Sequence, residues 1–228
     1  VEICFGDIRD PNFVREVVKK SDVIMHLAAL IGIPYSYISP KSYVETNISG
    51  TLNILQSARD FDVEKIVHTS TSEVYGEYDS VPISELNKNI ARSPYSATKI
   101  AADQLAYSYF STYDLPVSII RPFNTYGPRQ SARAIIPTII TQIASGKKEI
   151  ELGDLTPTRD FNYVEDCCRG IIMLAENSST IGKTLNIGSN TEMSISDLFE
   201  LIKELMQSDV ISNFDKQRKR PNKSEVLR

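Results

Sequence analysis

An α/β fold, with a parallel sheet carrying helices on both faces, is what this 228-residue sequence predicts. Three observations carry the prediction. Strand-like and helix-like segments alternate along the first half of the chain, the rhythm of repeated β-α-β units. The strand candidates are short, nearly continuous apolar runs, as expected where both faces of a sheet are covered. The composition, 41% hydrophobic and 24% charged, is that of a chain able to fill a sizeable core, and the length allows one to two domains.

Residues 1–5 read as a strand, and 11–20 as a helix with Asp10 placed to cap it and Pro11 pre-set for its first turn. Residues 22–28 form a buried-strand run. Residues 39–60 carry a long helical pattern in which Val44, Ile48, Leu52 and Leu55 fall on one face. Lys65–Thr69 is the next strand. A second long helix spans 93–113, started by Ser93 as N-cap and Pro94 behind it, and 117–121 is a strand stopped by Pro122. After Asn124 the rhythm loosens into a helix near 135–145, a strand at Glu149–Leu152, a helix at Val164–Glu176, a strand at Thr184–Ile187 and a helix near 196–206. Residues 1–124, with 160–180 returning to them, are expected to form the sheet domain; 125–159 and 181–228 are expected to form a smaller lobe.

Several function classes fall away. With 25 Lys and Arg against 29 Asp and Glu, the net charge of −4 argues against a nucleic-acid binder that relies on phosphate neutralisation. The longest apolar run, residues 23–33, is broken by His26 and falls short of the ~20 residues that span a bilayer. No signal-peptide pattern opens the chain. Cys4, Cys167 and Cys168 cannot build a disulfide framework and read as reduced thiols of a cytoplasmic protein. Two histidines and no carboxylates at ligand spacing make a metal site unexpected. A glycine-rich dinucleotide loop is also missing: of ten glycines no two stand closer than 182 and 188.

Two segments carry chemistry. In Tyr95-Ser96-Ala97-Thr98-Lys99 the phenol and the ammonium sit at i, i+4 on one helix face. A neighbouring ammonium favours the phenolate, which makes Tyr95 a candidate general base with a lowered pKa. Tyr107, Tyr109 and Tyr113 have no such lysine and read as packing. The second segment, His68 to Gly76, follows a strand, where open α/β sheets place ligands. Its hydroxyls, Thr69, Ser70, Thr71 and Ser72, and the Glu73 carboxylate are too polar for a core, whereas His68 reads as packed.

Thr71-Ser72-Glu73 ahead of Tyr95 and Lys99, with residues 121–128 (Arg-Pro-Phe-Asn-Thr-Tyr-Gly-Pro) after them, resembles the extended short-chain dehydrogenase/reductase superfamily, nearest its nucleotide-sugar epimerases and dehydratases. Residues 6–10, 26–29, Asn47 with Gly50 and Thr51, and 159–166 match further segments of that family in order. The resemblance implies a Rossmann-type sheet binding NAD and a carboxyl-terminal lobe binding a nucleoside-diphosphate sugar. It assigns Asp7 and Ile8 to the adenine, and Leu27, Ala28, Ala29 and Thr69 to the cofactor cleft. Thr71 would bond the sugar O4, Tyr95 would take its proton, and Lys99 would hold the nicotinamide ribose. Asn124, Arg133, Arg159 and Arg220 would bind the diphosphate or nucleoside side of the substrate, arginine being suited to bidentate phosphate contacts. Family members pair two long helices in a homodimer, and residues 41–60 and 93–113 resemble them.

Glu73 selects among the reactions this family performs. Beside a C4 ketone the C5 proton is acidic, and a placed carboxylate can remove it; loss of the C6 hydroxyl then makes a 4,6-dehydratase. Ser72 stands where glucose dehydratases of the family carry an Asp acid, so the pattern resembles Thr-Ser-Glu dehydratases, and residues 121–140 resemble UDP-N-acetylglucosamine 4,6-dehydratases of the configuration-retaining kind. UDP-glucuronate decarboxylation, with Arg129 or Arg133 addressing the carboxylate, and 4-epimerisation are the alternatives. A non-catalytic nucleotide-binding regulator fits less well with Glu73, Tyr95 and Lys99 all present. Aligned on these motifs, the chain starts at the family's third strand and stops before its last helices. Residues 1–228 alone are therefore expected to bind NAD weakly and to be inactive, which calorimetry and turnover assays would read.

Overall fold

The computed structural model describes residues 1–76 and 81–214. The Asp10 carboxylate accepts from the backbone N–H groups of Asn12 and Phe13, and Pro11 leads helix α1 (Pro11–Val18). Strand β1 (Val23–His26) is followed by short helices α2 (Ile33–Ile38) and α3 (Pro40–Tyr43), a π-helical turn over Val44–Ser49, and α4 (Gly50–Asp60). Next come β2 (Lys65–Thr69), a 3-10 turn at Ser72–Val74, α5 (Pro94–Tyr113), β3 (Val117–Pro122) and β4 (Asn124–Tyr126). The remainder runs α6 (Ile135–Ala144), β5 (Glu149–Leu152), β6 (Thr158–Arg159), β7 (Phe161–Tyr163), α7 (Val164–Glu176), β8 (Thr184–Ile187), β9 (Met193–Ser194), α8 (Ile195–Leu205) and β10 (Ile211–Phe214).

The chain divides into two units, Val1–Pro122 with Cys167–Ile187, and Phe123–Asp166 with the chain from Gly188 onward. The first holds a four-stranded sheet in the order β1-β2-β3-β8, parallel throughout. Successive strand residues point to opposite faces. Ile66 and Ile119 therefore pack with Val14, Leu55, Ala106 and Tyr109 on one side. Val67 and Ile120 pack with Ile171 and Leu174 of α7 on the other. Each such buried side chain contributes about 2 kcal/mol relative to exposure, and together they explain why these strands read as continuous apolar runs. The sequence places residues 181–187 in the smaller lobe; the structure makes Thr184–Ile187 the fourth strand, because a short strand belongs wherever its ladder partner, here β3, is found.

Two further expectations are corrected. Residues 1–5 form no strand: they pair with no neighbour, and Val1, Ile3 and Phe5 stand exposed. An apolar run becomes a strand only with a ladder partner, and among the described residues β1 pairs with β2 alone. The helical stretch 39–60 exists, but Val44 and Leu52 of its expected inner face are exposed, while Asn47, Thr51 and Leu55 are buried. The π turn inserts an extra residue into the ladder and rotates the helix beyond it. It aims the Asn47 amide at Leu30, accepting from its N–H at 2.8 Å and donating to its carbonyl at 3.0 Å, and at the Thr98 hydroxyl at 3.0 Å.

In the second unit β5 pairs with β10 and β4 with β7 in parallel, and β6 pairs with β9 antiparallel. Ile139, Ile150, Leu152, Leu198, Phe199 and Ile202 form its core. Ser194 caps α8, its hydroxyl accepting from the Asp197 N–H.

Candidate active site

A parallel sheet brings its strand carboxyl ends to one edge, and β2 ends there at Thr69, with Ser70 and Thr71 following it. The Thr71 hydroxyl accepts from the Glu73 backbone N–H at 3.2 Å and so opens the 3-10 turn that carries Ser72 and Glu73. Gly76 closes the segment with φ of +63°; a Cβ there would lie 2.1 Å from the Ile90 carbonyl oxygen, so only glycine fits. Across from it, α5 starts at a reciprocal cap in which Ser93 and Ser96 each bond the other's backbone N–H, with Pro94 at the first position. Tyr95 thus sits in the first turn and Lys99 one turn on.

The structure brings Thr71, Glu73, Tyr95 and Lys99 together. The Thr71 hydroxyl and the Glu73 carboxylate both act on the Tyr95 phenol, the first favouring the phenolate and the second opposing it. Tyr95 is buried, and the Tyr43 ring stands edge-on to it at 6.3 Å between centroids. Lys99 is also buried, and its Nζ donates to the Thr69 carbonyl at 2.6 Å. The sequence predicts a lowered Tyr95 pKa; the structure reverses the sign. Burial pushes the phenol up, the Thr71 hydrogen bond pulls it down, and the carboxylates of Glu73 and Asp103 push it up again. Burial also lowers the Lys99 pKa to about 8, against the upward pull of Asp103.

The residues assigned to the cofactor lie in the same unit. Asp7 is bound by Arg9 through bonds of 2.6 to 3.0 Å, which hold its carboxyl at about 2. Ile8 packs where Gly50 has no side chain, and its carbonyl accepts from Asn53 at 2.9 Å. Leu27, Ala28 and Ala29 follow β1 as an open segment, Leu27 and Ala28 exposed. Of the residues assigned to the substrate, Asn124, Arg133 and Arg159 belong to the other unit. Asn124 begins β4, its N–H donating to the Asp160 carbonyl at 3.0 Å; Arg133 is exposed; Arg159 in β6 donates to the Thr158 carbonyl at 2.7 Å. Arg220 lies outside the described residues. Tyr109 packs in the core as expected, whereas Tyr107 and Tyr113 are exposed.

Sequence reasoning passes over what lies beneath Lys99. Asp103 is 1% exposed and faces Ser70, His68 and Arg121, all buried. Its signal was present: an acidic residue continuing the Tyr95–Lys99 stripe at another four residues, on the face of α5 that meets the sheet. His26 and His68 are packed ring to ring at 5.5 Å, and His26 Nε2 bonds the Thr51 hydroxyl at 2.9 Å. Among the described residues no group of three His, Cys, Asp or Glu could hold a metal ion, and no helix is long and apolar enough to cross a membrane.

A parallel sheet with flanking helices, followed beyond its carboxyl edge by Thr71 and faced by Tyr95 and Lys99 of α5, is a Rossmann-like fold of the short-chain dehydrogenase/reductase type. The model of the GDP-mannose 4,6 dehydratase family matches residues 1–228, and the chain belongs to this family of NAD-dependent nucleotide-sugar epimerases and dehydratases. It is 40% identical over 200 residues to the low-salt glycan biosynthesis protein Agl12 of Haloferax volcanii, a match covering 87% of this chain and 64% of that protein. DesIV, a dTDP-glucose 4,6-dehydratase of Streptomyces venezuelae crystallised with NAD, superposes with a TM-score of 0.87 at 32% identity, covering 94% of this chain and 67% of its own. UDP-glucuronic acid 4-epimerase of Bacillus cereus, crystallised with UDP-glucuronic acid and NAD, gives 0.86 at 33% identity, covering 92% and 67%. The chain thus spans less than two thirds of its curated relative's length. NAD is the cofactor of this family, and the residues present fit part of it. The Thr69 hydroxyl is buried without a hydrogen-bond partner, at the strand end where Lys99 is held.

Proposed function

We propose that this protein catalyses 4,6-dehydration of a nucleoside-diphosphate sugar, with UDP-N-acetylglucosamine as the substrate. The observation that supports it is the Glu73 carboxylate held beside Tyr95 by the Thr71 turn. Thr71 orients the sugar O4, and Tyr95 takes its proton as the C4 hydroxyl becomes a ketone. It must do so as the phenolate, which burial opposes in the protein without ligands and the positive nicotinamide ring of bound NAD would favour. NAD, when bound, supplies the acceptor for the C4 hydride and later the donor to C6, so the net reaction is redox-neutral. Asp7, Ile8, Leu27, Ala28, Ala29, Thr69 and Lys99 would hold it. The ketone acidifies C5; Glu73 removes that proton, the C6–O bond breaks, and the departing hydroxyl leaves as water. A serine hydroxyl is too weak an acid to protonate it, so Glu73 returns its newly gained proton, directly or through a water held by Ser72. C5 is then reprotonated as C6 is reduced, by a proton equivalent to the one Tyr95 took from O4, which balances the reaction. Asn124, Arg133, Arg159 and Arg220 bind the diphosphate and nucleoside. The protein works in the cytoplasm as a homodimer.

The substrate rests on the resemblance of residues 121–140 to UDP-N-acetylglucosamine dehydratases; the likeness to DesIV makes dTDP-glucose the comparison to run beside it. Supplied to the full-length protein, UDP-N-acetylglucosamine should yield a 4-keto-6-deoxy sugar. Glu73→Gln should lower its formation by ~10²–10⁴-fold while C4 oxidation persists. A 4-epimer as product would instead support the reaction named for the Bacillus cereus enzyme, and CO₂ release from UDP-glucuronate a decarboxylase. Undiminished dehydration by Glu73→Gln would overturn the role given to that carboxylate.

A further inference from the structure

The stripe that carries Tyr95 and Lys99 continues one helical turn further, to Asp103. Asp103 Oδ2 accepts from the Ser70 hydroxyl at 2.8 Å and from Arg121 Nε and Nη2 at 3.2 and 2.9 Å, and Oδ1 lies 3.3 Å from His68 Nε2. Arg121 lies over the Tyr75 ring at 4.9 Å, and the Tyr75 hydroxyl donates to Asn186 at 2.6 Å. Stability gives no reason to keep such a pair. Burying two ions costs several kcal/mol each, and apolar replacements of buried pairs are commonly as stable or more so.

We propose that Asp103, anchored by Arg121, is a positioning residue that keeps Lys99 charged and aimed at the site. The proposal rests on the role given to Lys99 above. Asp103 stands one turn from Lys99 on the same face of α5, whereas Arg121 comes from β3. Among charged groups it is Asp103 that acts on Lys99, pulling its proton affinity up against burial. The other titratable groups around Lys99 and Tyr95 are His26 from β1, His68 from β2, Glu73 from the 3-10 turn and Tyr43 from α3. Both histidines are driven neutral by burial; the Glu73 carboxylate acts on Tyr95, and Asp103 is the counter-charge that acts on Lys99.

The test is an NMR titration of full-length protein carrying ¹⁵N-lysine, with the Lys99 Nζ signal assigned by its loss in Lys99→Met. In Asp103→Asn the Lys99 midpoint should fall by about one pH unit or more, a tenfold loss of proton affinity, and the pH profile of kcat/KM should move to lower pH. Asp103→Glu should restore both. Asp103→Asn leaves Arg121 buried without its partner; the double variant D103N/R121M removes both charges and should show the same fall. A Lys99 midpoint unchanged in either variant overturns the proposal, since a merely structural Asp103 would alter stability and leave the titration in place. Failure of the underlying site reading has a different signature: Tyr95→Phe and Lys99→Met would both retain full turnover.

Discussion

Lys99 carries a positive charge into a place that resists it. Its pKa falls from 10.5 to about 8 because burial penalises the ammonium. Below pH 8 the folded protein holds that proton at a cost. Between about 8 and 10.5 the folded state has released it while the unfolded chain still binds it, so stability rises with pH across this window. Lys99→Met should therefore be more stable than the parent at pH 7, by up to about 3 kcal/mol at 1.4 kcal/mol per pH unit. The advantage should shrink from pH 8 to 10. Urea denaturation at several pH values measures it, and an advantage independent of pH would show that the buried charge is not its source. The Tyr95–Lys99 spacing was legible in the sequence because it is local to one helix. The sign of the Tyr95 pKa was not, because the burial that decides it comes from Tyr43 and the Thr71 turn, remote in sequence.

At the scale of elements, glycine conformation makes a contrast that can be measured. Gly76 and Gly146 both have positive φ, but a Cβ at Gly76 meets the Ile90 carbonyl whereas one at Gly146 meets nothing within 4 Å. Gly146→Ala should cost about 1 kcal/mol from backbone strain alone, and Gly76→Ala about 3 kcal/mol or more. Urea midpoints at unchanged m would report both, and equal costs would mean that the turn after β2 yields to the added methyl. Strands and helices with strong local signals were readable: Lys65–Thr69, Glu149–Leu152, Val164–Glu176 and Thr184–Ile187 have the bounds that composition suggests. Residues 1–5 were not, since a strand exists only through its partner. The buried face of α4 was misjudged because helical periodicity assumes an unbroken ladder, which the π turn at Val44–Ser49 interrupts.

For the whole molecule, the exposed apolar side chains of the two long helical segments bear on assembly. Helices α4 and α5 pack on each other, and Val44, Leu52, Tyr107 and Tyr113 are left exposed. The proposed homodimer would cover such a face. Light scattering of the full-length protein should give twice the monomer mass, and Leu52→Glu with Tyr107→Glu should halve it; a parent protein of monomer mass would dismiss the dimer. Non-local placement also governed which parts of the molecule were legible. The alternation of elements announced a parallel sheet, but the division into two units depends on where β8 and α7 return.

The π turn at Val44–Ser49 acts as a phase shifter. Helix residues before and after it are read on different wheels, which is how Asn47 reaches Leu30 and Thr98 while Val44 and Leu52 stay outside. Removing a single residue there would re-phase the next turns by about 100° and swing the buried amide away from both partners. This helix therefore tolerates a change of side chain at its outer face far better than a change of length.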